Sequence, residues 1–432
     1  MKKRSKRRVV VTGYGMVTPL GRNSRETFDH AAAGESGIST IKSFDTSGLP
    51  CTIGGEVDDR WVADSSHLLA RGLEKCSSRG LKLMLMAASE AAETAGLDKL
   101  TDRGRIGVSL GYHGESPSIE DVILFNRFHD GGGTWDIGEL RKNISYSYFN
   151  FFRRKPDVAT SLLSMAFDCR GSNLSIVSAC AAGTQAIGEA FKIIGSGKCD
   201  AMLAGGCEAS LNFLGFLGFV LIRALSEKHT EPRKASRPFD RKRNGFIMSE
   251  GAGCVVLEDL DHARARGAAV FGEVLGYGSS ADAYRITDIH PKGDGAVLAM
   301  KSALSDASLD PGQVDYINAH GTSTTQNDLV ETLAIRRVFE DRAKRVPVSS
   351  NKSMIGHPIA AAGAIEFILT LMGINRSLLL PTINYEYPDP KCDLDYVPNV
   401  ARKQEHGIAL TNSFGFGGQN ACLCLGAYKE DR

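Results

Sequence analysis

The segment VVVTGYGMVTP, at residues 9–19, has a counterpart in GEVLGYGSSAD, at residues 272–282. Each is a run of β-branched and apolar residues, typical of a strand, that leads into Gly-Tyr-Gly. Each is followed by further strand-like runs that alternate with stretches in which apolar residues recur at helical spacing. Two such series in one chain predict an α/β protein made of two repeated halves, with helices covering the sheets.

The length and composition set the class of protein. The chain has 432 residues, of which 42% are hydrophobic and 23% charged, enough for two domains or one large duplicated fold with a sizeable core. Disorder, a collagen-like fibre and a coiled coil are excluded. Six of its 51 basic residues lie in the first eight positions, and the rest of the chain carries a net charge of −5. Because nucleic-acid binding requires a broad positive field, we exclude that class of partner.

Membrane, disulfide and metal chemistry find no support in the sequence pattern. The longest apolar run, residues 213–222, is well short of the roughly 20 residues of a membrane-spanning helix, and VVVTGYGMV is too short and too broken by glycine for a signal peptide. Ten cysteines without a C-x-x-C pair are too dilute for a disulfide scaffold, and the ten histidines are scattered without an H-E-x-x-H sequence. We expect a cytoplasmic protein without a metal centre.

The two halves are expected to divide near residue 260. Residues 1–260 contain the strand-like run that leads to Cys180, and residues 261–432 contain the one that ends at His320. If both halves repeat one βαβ plan, these two residues occupy equivalent strand ends and meet at a shared cleft. Residues from about 115 to 167, rich in aromatic, glycine and basic residues without a clean period, are predicted to form an excursion over the core or a subunit contact.

Cys180 is a candidate nucleophile by its position. It follows a β-rich run and precedes small residues, after which apolar side chains recur at helical spacing. A thiol at such a junction faces the positive end of the helix dipole, which favours the thiolate, and the free backbone N–H groups there can bind an oxyanion. A buried cysteine beside alanines is also a common packing residue, so the position alone leaves both interpretations open.

Two histidines and a lysine are predicted to lie at further strand ends. His320 enters a hydroxyl-rich turn, in which Thr322 and Thr324 can hydrogen-bond an amide-bearing ligand or cap the next helix. Lys352 lies just beyond a strand, and His357 comes immediately before a helix opened by proline. Because a helix N-terminus disfavours a second positive charge, we expect His357 to stay neutral and to donate a hydrogen bond.

The segment NSFGFGGQN, residues 412–420, predicts two strands joined by a glycine-rich turn. Its glycines permit backbone conformations closed to other residues and let the main chain approach a ligand. In a plain tight hairpin the rings of Phe414 and Phe416 would be exposed. A mobile gate lined by phenyl rings, beside an acyl chain, fits them better.

Five segments together carry a family resemblance: SACAAGTQAIGEA, RPFDRKRNGFIMSEGAG, NAHGTSTTQND, NKSMIGHPIAAAGAIE and NSFGFGGQN. They resemble the elongating, type II β-ketoacyl-acyl carrier protein synthases of the thiolase superfamily, and the resemblance runs nearly end to end. It implies a thiolase-like duplicated α/β fold of five layers, αβαβα, with two central mixed sheets. It also implies a decarboxylative Claisen condensation, in which an acyl group on Cys180 is extended by malonyl carrier protein in fatty acid or related polyketide synthesis.

The resemblance implies roles for individual residues. His320 and His357 would stabilise the enolate oxygen formed on decarboxylation, and Lys352 would hold the electrostatics of the site. The N–H groups of Cys180 and Phe416 would form the oxyanion hole. The remaining implied residues contact the phosphopantetheine arm or support the site from behind: Thr322, Thr324, Phe414, Phe416 and Arg223 for the arm, and Glu366 and Asp328 for support.

The resemblance also implies partners. The substrates would arrive on the phosphopantetheine of an acidic acyl carrier protein, so the enzyme would need no cofactor of its own. Arg71 and Lys75 match a basic docking patch for that carrier, although surface cations are usually just solvated. The family is homodimeric, and we expect a homodimer.

Six positions depart from the family's usual pattern. They are Tyr112, His113 and Glu115, in a segment near the acyl pocket that is usually small and glycine-rich, and Asn244, Ser249 and Gln419, in place of the more usual Asp, Gly and Thr. These departures leave chain length, saturation and pathway open. A pathway-specific ketosynthase of a polyketide or polyene system is an alternative.

Two rival interpretations remain. Residues 107–111 spell G-x-S-x-G, the serine hydrolase elbow with Ser109 as nucleophile, but that elbow needs a helix directly after the serine, and glycines and a proline follow instead. The other rival is a subunit that has the fold but works only within a heterodimer. Since the chain-length partners of polyketide synthases lack the nucleophile, Cys180 argues for an active subunit.

Overall fold

The computed structural model describes residues 7–63, 67–70, 72–142, 148–227 and 231–430. The strands in these ranges are β1 (Val9–Val17), β2 (Ser39–Thr40), β3 (Ile53–Gly54), β4 (Ile106–Gly111), β5 (Asn173–Ile176), β6 (Ala201–Glu208), β7 (Gly251–Asp259), β8 (Gly272–Ala281), β9 (Tyr316–Asn318), β10 (Val348–Ser349), β11 (Leu378–Leu379), β12 (Arg402–Lys403), β13 (Ile408–Gly415) and β14 (Gln419–Gly426). The α-helices are α1 (Ser24–Ala32), α2 (Asp59–Ala63), α3 (Arg79–Ala95), α4 (Ile119–Asn126), α5 (Ile137–Lys142), α6 (Tyr148–Phe152), α7 (Pro156–Ala166), α8 (Ala182–Gly195), α9 (Phe213–Leu221), α10 (Leu260–Ala265), α11 (Asp294–Ala307), α12 (Thr325–Phe339), α13 (Lys352–Ile355) and α14 (Ile359–Arg376).

Ten strands of the described ranges form one sheet, in the order β10-β9-β13-β14-β8-β1-β7-β6-β4-β5. Five of these ten strands, β1 and β4 to β7, make one series, and the other five, from β8 onward, make a second series. In both series the third strand lies at the outer edge, followed by the second, fourth, fifth and first. In both, the three outer strands are parallel and the remaining pairs are antiparallel. The duplicated plan predicted from residues 9–19 and 272–282 is confirmed, because β1 and β8 are the two first strands.

The shared strand order corrects one expectation of the sequence analysis. Cys180 follows β5, the third strand of its half, whereas His320 follows β9, the second strand of the other half. The two residues are therefore not at equivalent strand ends, although they do meet at one cleft. Local sequence likeness identifies a strand end, but only the pairing order shows which strand of the repeat it is. The domain division near residue 260 stays a prediction.

The halves are joined where β1 pairs with β8. Val9–Val11 lie antiparallel to Gly272–Val274, and no further residues of β1 pair with β8. The sheets predicted as two are thus continuous through one short ladder. Helices α8 and α14 pack against strands of both halves, α3 covers the outer face of the first half, and α11 covers the outer face of the second. This gives the five layers of the thiolase-like fold.

Helix α14 is the core of the central layer. A Cβ on Gly363 would lie only 1.9 Å from the Thr184 hydroxyl oxygen, so glycine is required for the close approach of α14 to α8. Among the described residues α14 is the one helix long and apolar enough to cross a membrane, but 89% of its apolar stretch is buried inside the protein. Its hydrophobicity is that of an interior helix.

The predicted excursion contains helices α4 to α7. Its side chains include several large apolar groups that face solvent in the single chain: Val122, Ile123, Trp135, Ile137, Phe151 and Phe152. Such a concentration of exposed apolar surface is typical of an interaction site. The subunit contact predicted for this segment is compatible with that surface and stays a prediction.

Candidate active site

Cys180 lies at a strained junction between β5 and α8. The residue before it, Ala179, has φ of 47°, in the left-handed region that non-glycine residues rarely adopt. Helix α8 begins at Ala182, so the thiol lies at its N-terminal end. Gly415 leaves room on the other side, since a Cβ there would lie 3.1 Å from the Cys180 backbone nitrogen. The side chain of Cys180 is buried, with 3% exposure.

Both predicted histidines reach the sulfur. His357 Nε2 lies 3.1 Å from Cys180 Sγ, although the two residues are 177 positions apart in the chain. One side-chain donor atom from each of Cys180, His320 and His357 lies within 4.8 Å of the others. The two imidazole rings stand nearly perpendicular, at 82°, with centroids 5.3 Å apart. The structure therefore assembles a thiol and two imidazoles into one buried cluster.

Hydrogen bonds of the backbone fix the positions of both histidines. The His357 N–H donates to the Ile247 carbonyl at 2.7 Å, and its own carbonyl accepts the Ser249 N–H at 3.2 Å. The N–H groups of His320 and Gly321 both donate to the carboxylate of Glu331, each at 2.8 Å. Sequence reasoning missed Glu331. The available signal was its place among apolar residues on one face of α12, where an unpaired carboxylate is disfavoured.

Lys352 and Glu366 form an ion pair in the core. Their Nζ and Oε1 atoms are 2.5 Å apart, and both side chains are essentially inaccessible to solvent. Burial raises the pKa of Glu366 to about 7, against the opposing effect of Lys352. The positive charge of Lys352 also lowers the pKa values of Cys180, His320 and His357. The lysine thus acts on the electrostatics of the whole cluster.

Both histidines are neutral. Burial, reinforced by the charge of Lys352, lowers the pKa of His320 well below its ordinary value. The pKa of His357 is lowered by burial and then by the charges of Lys352 and His113. This direction agrees with the neutral His357 expected from the sequence, with burial rather than the helix N-terminus as the main cause. In the described part of the chain the Nδ1 atoms of both rings are buried without a hydrogen-bond partner.

The resting state of Cys180 differs from the expectation. Burial raises the pKa of its thiol to about 11, outweighing the opposing effects of Lys352 and of the backbone N–H groups of Phe416 and Cys180. The expectation of a resting thiolate is wrong, because desolvation raises the pKa of the thiol more than the helix end and Lys352 lower it. The same two N–H groups approach the sulfur, and Nε2 of His357 is placed to accept the thiol proton.

A cavity of about 320 Å³ leads to the cluster. Its described lining includes Cys180, both histidines and the predicted arm-binding residues Thr322, Thr324, Arg223, Phe414 and Phe416. The Thr322 and Thr324 hydroxyls lie 3.0 Å apart, and Thr324 also caps α12 by accepting the Asn327 N–H. A cavity lined by hydroxyls, backbone groups and apolar rings suits an amide-bearing chain.

The two phenylalanines of the glycine-rich turn differ in their surroundings. Phe414 is buried, with its ring centroid 5.9 Å from that of His320. Phe416 is half-buried and lies 6.3 Å from the ring of Phe219. Gly417 and Gly418 follow with φ of 81° and 73°, which explains the glycines. Phe414 forms a wall of the site, and the gate predicted at this turn stays a prediction.

The remaining predicted residues lie farther from the sulfur. Asp328 is buried and accepts the Phe239 N–H at 2.8 Å, so it braces the start of α12. Lys75 is exposed, with its Nζ 5.9 Å from the Phe149 ring. Arg71 lies outside the described residues. Arg223 is exposed at the cavity mouth and adopts a positive φ of 54°.

The six departures from the family pattern are placed as follows. The Tyr112 hydroxyl donates to Ser78, the cap of α3, at 2.8 Å; His113 pairs with Glu208; and Glu115 lies 3.3 Å from Arg153. Asn244 lines the cavity and accepts a hydrogen bond from the Ser226 hydroxyl at 2.6 Å. Ser249 is buried, and its N–H donates to the carbonyl of His357. Gln419 is the first residue of β14.

The serine hydrolase interpretation is wrong. Ser109 lies in the middle of β4 and is completely buried, and the next α-helix in the described chain begins at Ile119. A nucleophile elbow instead exposes its serine at a sharp turn directly before a helix. Cys180, although buried, lies at a turn directly before a helix.

The cluster also has the donor set of a metal site. A thiolate and two imidazoles within 4.8 Å of one another are ligands that Zn²⁺ accepts. Metal binding would occupy the sulfur and both rings, which are the groups that face the cavity. The expectation of chemistry without a metal stays a prediction.

A duplicated thiolase-type fold, with a cysteine at a strand–helix junction facing two neutral imidazoles, defines a condensing acyltransferase. The comparisons with known proteins agree. The N-terminal domain model of the β-ketoacyl synthases matches residues 6–263, and their C-terminal domain model matches residues 271–386. The chain belongs to the β-ketoacyl synthase family.

Relatives and solved structures show which members of the family this chain resembles. The chain is 41% identical to 3-oxoacyl-[acyl-carrier-protein] synthase 2 of Coxiella burnetii, over 97% of this chain and 98% of that protein. It is 41% identical to the protein of the same name from Synechocystis, over 98% and 99%. It superposes with a TM-score of 0.85 on a type II polyketide ketosynthase solved with its acyl-carrier protein and bound to the hexaketide, at 33% identity over 98% and 100% of the chains. The ishigamide ketosynthase/chain length factor gives the same TM-score at 32% identity, over 98% and 100%.

Proposed function

We propose that this enzyme condenses an acyl group held on Cys180 with malonyl-acyl carrier protein, giving a β-ketoacyl-acyl carrier protein in fatty acid or polyketide chain elongation. One observation carries the proposal: His357 Nε2 lies 3.1 Å from Cys180 Sγ, with the ring of His320 beside it, at the end of a cavity. The relatives named 3-oxoacyl-[acyl-carrier-protein] synthase 2 support it over nearly the whole chain.

The first half-reaction transfers the acyl group to the enzyme. Because the Cys180 pKa is about 11, the thiol is protonated at rest and His357 Nε2 takes its proton as the sulfur attacks the thioester carbonyl. The N–H groups of Cys180 and Phe416 hold the oxygen of the tetrahedral intermediate. The proton then passes to the departing phosphopantetheine sulfur, so that one thioester forms, one breaks, and no proton is gained or lost.

The second half-reaction forms the carbon–carbon bond. The malonyl thioester loses carbon dioxide, and the neutral rings of His320 and His357 donate hydrogen bonds to the enolate oxygen that results, with the ring proton of His357 moved from Nδ1 to Nε2 after the acyl transfer. Neutral donors stabilise this oxygen without readily protonating the carbon. The enolate carbon attacks the acyl carbonyl, and the Cys180 sulfur leaves and takes up one proton. Decarboxylation supplies the carbanion, so the proposed reaction needs no cofactor.

Further residues support the catalytic cluster and bind the carrier protein and its arm. Lys352, paired with Glu366, adds to the effect of burial in keeping both imidazoles neutral, while Asp328 braces the cavity wall. Thr322, Thr324, Phe414, Phe416 and Arg223 receive the phosphopantetheine arm, and the carrier protein docks at Arg71 and Lys75. The exposed apolar side chains of α4 to α6 support a homodimer. A cytoplasmic location is supported by the ten free cysteines and by the interior position of α14.

A second candidate is a catalytic subunit that works with a chain-length partner in a specialised polyketide or polyene pathway. The exposed apolar surface of the excursion is compatible with it, because such a surface accepts a different chain as readily as a second copy. The ishigamide structure is described as a ketosynthase with a chain length factor. Purified protein alone, mixed with acyl and malonyl carrier proteins, discriminates the two: condensation without a second chain excludes the obligate heterodimer.

Mass spectrometry tests the proposed function. The wild-type protein, mixed with acyl carrier protein, should gain one acyl adduct on Cys180, and Cys180→Ala should gain none. His320→Ala should still acquire the adduct but form no condensation product with malonyl carrier protein. An acyl adduct on the Cys180→Ala protein would contradict the scheme.

A further inference from the structure

The three side chains of the catalytic cluster also have the composition and the spacing of a zinc site. Cys180, His320 and His357 each place one possible ligand atom within 4.8 Å of the others, and all three residues are buried. A thiolate and two imidazoles are ligands of Zn²⁺, whereas Mg²⁺ and Ca²⁺ prefer oxygen ligands. The proposed reaction uses these groups for proton transfer and for the enolate, and it involves no ion.

The placement of the two rings fits one tetrahedral ion. Two imidazoles bound through nitrogen to the same tetrahedral zinc, at about 2.05 Å, have ring centroids about 5.2 Å apart. The ring centroids of His320 and His357 are 5.3 Å apart. Cys180 Sγ lies 3.1 Å from His357 Nε2, and zinc would hold these atoms about 3.5 Å apart, so the thiol has to move by less than about half an ångström.

The cavity gives an ion access to all three ligands. Cys180, His320 and His357 line the same cavity of about 320 Å³, which is the route proposed for the phosphopantetheine arm. Zinc sites of this kind have three protein ligands and keep a fourth position open for water or another small ligand. Here the open position faces the cavity, while the sulfur that would attack a thioester is bound to the ion.

The charges around the cluster admit a cation. Lys352 opposes it, but its ammonium forms an ion pair with Glu366, with Nζ and Oε1 2.5 Å apart. Glu208 is a completely buried acid, and its negative charge acts on the Cys180 sulfur. The thiolate that forms on binding also balances one of the two positive charges of the ion.

The other nitrogen of each ring distinguishes this site from a resident zinc centre. A zinc-binding histidine usually donates its second ring N–H to a carboxylate or a carbonyl, and loss of that support lowers metal affinity by about 10- to 100-fold. In the described part of the chain the buried Nδ1 atoms of His320 and His357 have no hydrogen-bond partner. We therefore expect zinc to bind reversibly, as an inhibitor and not as a cofactor.

We propose that Cys180, His320 and His357 bind one Zn²⁺ reversibly, and that the ion inhibits the enzyme by occupying the nucleophile. On binding, the thiol releases its proton to the solvent and the sulfur bonds to zinc as a thiolate. An acyl group on the same sulfur excludes the ion, so zinc blocks the free enzyme before the first half-reaction. The binding site goes beyond the proposed function, and only the inhibition rests on it.

Protection of the thiol from alkylation tests the site. The protein is stripped of metal with EDTA, dialysed and titrated with ZnCl₂, and the modification of each cysteine by iodoacetamide is followed by mass spectrometry of its peptide. At a Zn²⁺ concentration of ten times the Kd about one site in eleven is free, so modification of Cys180 should slow about tenfold. EDTA should restore the rate, and Mg²⁺ should leave it unchanged.

Two further cysteines provide controls within the same sample. Cys76 is the one cysteine that is not buried, and its modification should not change with zinc. Cys254 is completely buried in β7 and should stay unmodified as long as the protein is folded. In His320→Gln and in His357→Gln the protection of Cys180 should be lost while Cys254 remains unmodified.

Co²⁺ provides a second measurement that needs no histidine variant. Cobalt accepts the same ligands as zinc and reports a bound thiolate by its charge-transfer absorption. The wild-type protein should show this absorption, and Zn²⁺ should abolish it by competition. Cys76→Ser should keep the absorption and Cys180→Ala should lose it.

Failure of the zinc site and failure of the proposed function give different results. An unchanged alkylation rate of Cys180 in a large excess of Zn²⁺, protection that persists in both histidine variants, or a cobalt absorption that persists in Cys180→Ala overturns the zinc site. The proposed function then stands if acyl carrier protein still acylates Cys180. Protection by zinc without any acyl adduct supports the zinc site and overturns the proposed function.

Discussion

The carboxylate of Glu331 accepts the backbone N–H of His320 at 2.8 Å, so a buried acid fixes the main chain that carries a catalytic imidazole. The same carboxylate accepts the Gly321 N–H, and the amide of Asn412 approaches to 3.3 Å. Burial raises the pKa of Glu331 to about 7 in spite of these donors. The support of the site is therefore itself sensitive to pH.

Replacement of Glu331 by glutamine should flatten the dependence of stability on pH. The pKa of Glu331 rises from an ordinary value of 4.5 to about 7 on folding, so its contribution to stability is fully present below pH 4.5 and is lost as the pH rises through 7. Between these values each pH unit changes the free energy of unfolding by up to about 1.4 kcal/mol for one such group. Urea unfolding at pH 5, 6 and 7 should show a smaller decline for Glu331→Gln than for the wild type; equal declines would contradict the assignment.

Alkylation of Cys180 should accelerate steeply with pH. Because its pKa is raised to about 11, the thiolate fraction is small near neutrality and grows about tenfold per pH unit below that value. The rate of modification by iodoacetamide, followed by mass spectrometry between pH 7 and 9, measures this slope. Since the charge of Lys352 lowers the pKa of Cys180, Lys352→Met should shift the profile to higher pH. A rate that is already flat at pH 7 would show a resting thiolate.

Removal of Lys352 should also destabilise the fold. Its ammonium is the ion-pair partner of Glu366, which is completely buried, so Lys352→Met leaves an uncompensated carboxylate in the core. Breaking a buried pair in this way costs about 3–5 kcal/mol of unfolding free energy. The matched control is Lys234→Met, which removes an exposed partner of Glu231 at 3.2 Å and should cost below about 1 kcal/mol. Similar losses in the two variants, measured by urea denaturation, would contradict the burial argument.

Arg243 should position the wall that receives the phosphopantetheine arm. Its guanidinium is buried and donates to the carbonyls of Thr324 and Thr325, each at 3.1 Å, and to Asp389 at 2.7 Å. Lysine cannot reproduce this fork of donors. Arg243→Lys should therefore raise the KM for carrier-protein thioesters by about tenfold, roughly the loss of one such hydrogen bond.

A truncated substrate separates this positioning role from general damage to the fold. Thioesters of N-acetylcysteamine lack most of the arm, so Arg243→Lys should turn them over nearly as well as the wild type does. Arg266→Lys, which alters a paired arginine on the Glu258 carboxylate, serves as the control and should affect neither substrate. Equal losses on both substrates in Arg243→Lys would mean that the arginine is merely structural.

The sequence predicted most of the fold because local residue patterns determine its strands and helices. β-branched runs that alternate with amphipathic stretches identified the strands and helices, and the likeness of residues 9–19 to 272–282 identified the repeat. The same patterns placed Cys180, His320, Lys352 and His357 at strand and helix ends. Each inference needed only the residues within one or two elements, where spacing determines the direction of side chains.

The tertiary structure alone decided the remaining features of the site, because those features depend on which distant elements pack together. Strand order showed that Cys180 and His320 follow different strands of the repeat, and desolvation made the resting thiol neutral against the local effect of the helix end. The contacts of Glu331 with His320 and of Glu208 with His113 came to light only when packing placed each carboxylate against another element. Burial and charge act through space, so residues far apart in the chain jointly set the chemistry of one sulfur.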